Sequence, residues 1–247
     1  MIHEPLHPSS KTPILARALG AALGIATAPV FGVGSFLRGR RVVHPVGVVF
    51  DADLSIRCPT HPLLEDTILG CGGDHQAIVR LSRGLGIPVR MADVHGLAIR
   101  IPDAGGPGKP QDLLLITVRT IRSGGAGICR TKSYGPIFSS VLTFGAPRGA
   151  IVMHATPRQP MPDDATIDAG GGTRLAFDLT AGRPGADFPI VARLTLRASR
   201  SVEADKPLCF SVANDHGGLH PVGALNTARK IAYRSSQFGR AWRDKLS

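Results

Sequence analysis

Three residues near the C-terminus have types and a spacing that could do chemistry. From about Val222 to Lys245 the chain has no proline, Asn226 stands where a cap is expected, and Ala, Arg, Gln and Ile favour a helix. On such a helix Arg229, Tyr233 and Arg240 fall on one narrow face. That stripe can be read in two ways. It is a solvated basic face with the tyrosine ring lying flat on the domain, or the guanidinium groups hold Tyr233 as a phenolate. A free phenol titrates near about 10, and a cation within hydrogen-bonding reach favours the ionised form. A phenolate is a hard anionic ligand.

The elements that must position such a ligand are mostly strands. The chain has 247 residues, 43% of them hydrophobic and 19% charged, which is enough apolar material for a sizeable core and excludes wholesale disorder. From Val46 to Ile56 apolar residues alternate with Gly47, Val49, Asp51, Asp53 and Ser55, the period of a strand with one buried face. Further strands are expected at Ala77–Arg83, His95–Ile101, Leu113–Arg119, Ala150–Thr156, Arg174–Thr180, Ile190–Ser199 and Leu208–Ala213. Helical patterns between them are too few for parallel crossovers. The fold class expected is therefore α+β: an eight-stranded antiparallel β-barrel with flanking helices, wide enough for side chains or one ligand. The stretch Gly124 to Phe144 is too long for a hairpin and should include a short helix, while 104–110 and 168–173 read as loops. Residues 1–12 read as a flexible tail and 13–247 as a single domain that includes the helix 222–245.

Shorter motifs resemble the catalases, in order along the chain. Arg41-Val42-Val43-His44, followed by Pro45, is similar to the segment that carries the distal histidine before the first barrel strand. Val79-Arg80-Leu81-Ser82 looks like the second-strand motif with a haem-propionate arginine and the serine that orients the histidine. Asp93-Val94-His95-Gly96-Leu97-Ala98 resembles the family's Asp-x-Arg-Gly-Phe-Ala block, and Asp112-Leu113-Leu114 its Asp-Leu-Val. Arg229, Tyr233 and Arg240 match the spacing of the family's proximal helix. The likeness covers roughly 38–120 and 222–243, so the chain resembles a minimal catalase core without wrapping arm or C-terminal domains.

The resemblance implies haem b with Tyr233 as the ligand of its iron. Arg229 would keep Tyr233 anionic, Arg41, Arg80 and Arg240 would hold the propionates, and Val43 would crowd the distal face. His44, oriented by Ser82, would move the proton in reactions of hydrogen peroxide or of organic, including lipid, hydroperoxides. Strand parity agrees in part, because Ile78, Arg80 and Ser82 share one face. Arg41 and His44 have opposite parity, and Pro45 suggests that the regular ladder starts after it. The family's peroxide-binding asparagine is replaced by Ile116, with Thr117 facing the other way unless the strand bulges. An apolar wall there suits an organic hydroperoxide. The family's arginine in the third motif is His95.

Other readings stand beside this one. The barrel could be a non-enzymatic haem or lipid binder. Ala18 to Leu37 is uncharged but carries Pro29 and several glycines, so an N-terminal helix from Ile14 to about Ala28 is expected rather than a membrane span. Weak membrane-surface contact through 14–37 and the following arginines is the alternative, as is a homo-oligomer. The formal charge of +11 comes with an arginine bias and does not by itself indicate nucleic acid, which is not expected as a partner. Cys58, Cys71, Cys129 and Cys209 form no CxxC pair, consistent with a reducing, cytoplasmic setting. His75, His95, His154, His216 and His220 show no metal-ligand spacing and read as structural or surface residues, and Asp163-Asp164 as a loop or helix start.

Overall fold

The computed structural model describes residues 44–57, 61–87, 91–120, 126–168, 174–201, 203, 207–223 and 226. The N-terminal helix expected at 14–28 and nearly all of the helix 222–245 lie outside these residues. The strands are β1 (Val46–Ile56), β2 (Gly73–Arg83), β3 (His95–Ile101), β4 (Gln111–Thr120), β5 (Ala126–Ile128), β6 (Phe138–Ser139), β7 (Phe144–Ala146), β8 (Gly149–Pro157), β9 (Ala176–Gly182), β10 (Ile190–Ser199) and β11 (His220–Pro221). Eight of them close a ring of antiparallel neighbours in the order β1-β2-β3-β4-β6-β8-β9-β10 and back to β1. β5 adds to the edge of β4, and β7 joins β8 to β11.

Period two decides which residues fill the barrel. In β1 the residues Phe50, Ala52, Leu54 and Ile56 point inward, as do Ala77, Val79 and Leu81 in β2 and Leu97, Ile99 and Ile101 in β3. β1 and β2 pair without a break from Val46 opposite Arg83 to Ile56 opposite Gly73. The interior is occupied by side chains, with Phe138 set edge-on to Phe177 at 6.1 Å, as expected for eight strands. Any ligand must therefore use the outside of the wall.

The structure corrects two expectations. Residues 126–144 contain no helix but the strands β5, β6 and the start of β7, since Gly135 and Pro136 break helical continuity and Phe138 is needed in the core. Leu208–Ala213 is not a strand. Its alternation mimics one, but its backbone groups pair with side chains. The Cys209 carbonyl accepts from Arg100, and the Ser211 N–H donates to Asp112. The eighth barrel strand is the two-residue β6.

Asp112 is the anchor of that segment. Its carboxylate takes both arms of Arg100 at 2.7 Å, the Ser211 N–H and the Asn214 amide, while Arg100 also lies over the Phe210 ring. Burial works against the Arg100 charge, and the hydrogen bond and attraction from Asp112 outweigh it, so the guanidinium pKa lies above its ordinary value. Among the described residues the helices are few: a 3-10 turn at Ile68–Gly70 and α1 (Asp164–Asp168). α1 begins at the expected Asp163-Asp164. The Asp163 carboxylate accepts from the Thr166 N–H, which holds its pKa below the ordinary value. No helix among the described residues is long and apolar enough to cross a membrane.

Candidate functional site

His44 enters β1 through an unusual backbone. Its φ is +58°, a left-handed conformation that a residue before proline seldom takes. Its N–H donates to the Gly84 carbonyl at 2.8 Å, and its own carbonyl accepts from the Arg80 guanidinium at 3.1 Å. The regular ladder starts only after Pro45, as the proline suggests from sequence. The turned backbone carries the imidazole onto the outer wall, where Nδ1 is 2.9 Å from Ser82 Oγ. Ser82 Oγ also lies 3.5 Å from the Gly96 carbonyl oxygen.

Ser82 and Arg80 sit together on the outer face of β2, as their parity predicts, and both are nearly buried. Register places Gly47, Ser82, Gly96 and Ile116 side by side across β1 to β4, with Val49, Arg80, Ala98 and Leu114 in the next row. In these two rows, before Arg100 follows on the same face, the central strand offers Gly96 and Ala98 outward. Together they form a flat shelf between a polar wall (His44, Ser82, Arg80) and an apolar one (Leu114, Ile116). Two glycines are required by this packing. A methyl on Gly96 would lie 2.5 Å from His44 Cε1, 2.7 Å from Nδ1 and 2.8 Å from Ser82 Oγ, so the ring rests directly on the β3 backbone. A methyl on Gly47 would lie 2.5 Å from the Leu81 carbonyl oxygen and 2.8 Å from Arg80 Cζ.

The structure therefore brings together His44, Ser82 and Arg80 of the residues expected from sequence. Arg41, Val43, Arg229, Tyr233 and Arg240 lie outside the described residues. Ile116 is confirmed as the side chain in register with Gly96, and β4 does not bulge there. Thr117 faces inward and is fully buried, accepting from the His95 N–H and donating to the Cys129 carbonyl.

From sequence His95 reads as a structural or surface residue, which the structure bears out, but its partners were passed over. It is fully buried on the inner face, with Nδ1 3.0 Å from Thr131 Oγ1, Nε2 2.9 Å from Asp164 Oδ2 and the ring 4.4 Å from that of Tyr134. The available signal was a polar residue at a core position of an alternating strand, followed by Leu97 and Ile99. Ser139 was passed over too. It neighbours Ile116 in the outer row and is buried, its Oγ accepting from the Val141 N–H. A separate open cleft of about 560 Å³, lined by Tyr134, Gly135, Thr156, Arg158 and Met161 among others, includes none of the expected site residues.

Among the described residues no group of three or more His, Cys, Asp or Glu side chains could hold a metal ion. The outer face instead brings one guanidinium and one imidazole beside a floor of small residues.

No protein-family model and no curated protein matches the sequence. Solved structures do resemble the fold. A bacterial catalase matches with a TM-score of 0.60 at 15% identity, covering 84% of this chain and 59% of that one. A fungal catalase matches with a TM-score of 0.60 at 13% identity, covering 84% of this chain and 61% of that one. The chain thus spans about three fifths of the length of these catalases. Its closed barrel of eight antiparallel strands is a catalase-like fold.

Proposed function

We propose that this chain is a haem-dependent, catalase-like peroxidase that acts on hydrogen peroxide or organic hydroperoxides. The observation that carries the reading is the His44–Ser82 pair seated on Gly96 at the edge of a floor of small residues, with Arg80 beside it. A planar macrocycle bearing carboxylates fits that combination of floor and cation. Arg80 would hold a propionate, with Arg41 and Arg240 as further partners, and Tyr233, kept anionic by Arg229, would ligate the iron. The chemistry that haem supplies when bound is two-electron reduction of the peroxide O–O bond, the electrons being returned by a donor or a second peroxide.

The protein's own part is proton movement. If the His44 Nδ1–H donates to Ser82 Oγ and the Ser82 O–H to the Gly96 carbonyl, the unprotonated nitrogen is Nε2. That tautomer can take a proton from one peroxide oxygen and give it to the other, which leaves as water or an alcohol. Arg80 contributes by holding the His44 carbonyl, and with it the turned backbone that aims the ring.

An absorption spectrum of the purified chain tests the reading. A high-spin ferric spectrum with a tyrosinate charge-transfer band is expected, lost or altered in Tyr233→Phe, whereas a colourless protein that takes up no added haem overturns it. His44→Ala should abolish peroxide turnover and leave haem bound. A second reading, a non-enzymatic haem or lipid binder, is favoured by Ile116, whose side chain offers no hydrogen bond at the position in register with Gly96. Haem uptake without peroxide turnover would select it.

A further inference from the structure

We propose that His95, on the opposite side of the barrel wall, is a positioning residue for His44, which rests on the reading of His44 as the proton-transferring group. The two meet through the start of β3. Adjacent strand residues face opposite ways, so His95 presents its ring to the interior while Gly96 presents its bare Cα to the outside. The His44 ring lies directly on that Cα, and the Gly96 carbonyl is within reach of Ser82 Oγ. No flexible side chain intervenes. Wherever the 95–96 backbone sits, the floor beneath His44 and the last acceptor of its relay sit too.

His95 fixes that backbone from several separate directions. Its N–H donates to Thr117 on β4 at 3.0 Å. Its ring joins Thr131, which lies in the segment after β5, to Asp164 at the start of α1. The Tyr134 ring closes the side. Thr131 in turn exchanges both backbone hydrogen bonds with Asp93, two residues before His95. Every bonding group of the imidazole is used, in a place where an aliphatic side chain would have filled the same core. A buried polar cluster of this kind specifies one arrangement where apolar packing would tolerate several. The bond to Asp164 is single: Oδ1 of that carboxylate is buried with no hydrogen-bond partner among the described residues, so His95 is what ties the Asp164 carboxylate to the cluster.

The test compares carbethoxylation of His44 by diethyl pyrocarbonate, followed by peptide mass mapping in the intact chain, with that of exposed His220 in the same digest. His95→Leu should raise the relative rate at His44 by about threefold or more as the ring leaves its seat. His95→Gln, which keeps a donor for Asp164, should restore most of the protection. Leu54→Ala, a core truncation far along β1, controls for stability loss and should leave the His44 rate unchanged. An unchanged rate in His95→Leu, or an equal rise in Leu54→Ala, overturns the proposal. If His95→Leu does not fold, Thr131→Val replaces it, with about a twofold rise expected and no rise overturning the proposal. This readout needs no haem, so a colourless protein would sink the proposed function without deciding this inference, and an unchanged His44 rate in His95→Leu would sink this inference without touching haem binding.

Discussion

Two histidines lie on the two sides of the first residues of β3, and they are built in opposite ways. His95, inside, is fully buried with both ring nitrogens and its backbone N–H engaged. His44, outside, is partly exposed and sits on a left-handed backbone, with Ser82 at Nδ1. Buried polar groups that are fully satisfied rigidify their surroundings, whereas strain and partial exposure mark a group kept available for chemistry. On the proposed reading, one strand separates a histidine that holds from a histidine that reacts. Gly96, the chain neighbour of His95, is where the His44 ring meets β3.

Closing that point of contact should give the largest effect. Gly96→Ala places a methyl where His44 and Ser82 already are, so the ring must swing off the wall. Peroxide turnover is expected to fall by about a hundredfold or more, the scale of losing a preorganised transition-state interaction. Thermal unfolding should show the barrel still folded. Retained turnover would mean that the outer histidine does not work from its present seat.

Asp164→Ala attacks the inner histidine instead. It leaves a buried imidazole N–H without an acceptor, which should cost about 2 kcal/mol in urea unfolding. A loss below about 0.5 kcal/mol would show that the inner cluster holds nothing. Ser82→Ala returns to the outer face with a milder change. The partly exposed ring keeps its seat on Gly96 but loses its orienting partner, and turnover is expected to fall about tenfold with stability nearly unchanged. Comparable stability losses from Ser82→Ala and Asp164→Ala would erase the distinction between the two faces.

The same contrast explains what could be read from the sequence. β1, β3 and β10 have the limits expected from alternation, because period two over seven or more residues leaves little room for another structure. β6 spans two residues and has no period to detect. Its place in the ring is decided by Phe138 reaching the core between β4 and β8. Leu208, Phe210 and Val212 alternate like a strand, yet Asp112 and Arg100, about a hundred residues earlier in the chain, take the backbone groups a ladder would have used. Arg80 and Ser82 were legible because parity alone puts them on one face. His95 was not, since its partners Thr131 and Asp164 are 36 and 69 residues away and nothing local marks the pairing.

The smallest expected effect concerns a third histidine. His154 lies on the outer face of β8, reached from Gly96 through the register neighbours Ile116 and Ser139. Its ring stacks on Phe188 with centroids 4.4 Å apart, and burial pushes its pKa below the ordinary histidine value. Because the folded pKa is the lower one, the unfolded chain takes up the proton first as the pH falls below about 6.5. Stability attributable to His154 is therefore intact above that pH and declines below it until the folded pKa is passed. The slope should amount to a fraction of one proton, since the ring is only half-buried. Melting temperatures of the wild-type chain and His154→Phe between about pH 5 and 7.5 should converge in acid, the variant having lost this part of the decline. Parallel curves would mean that the stacked ring titrates as it does in the unfolded chain.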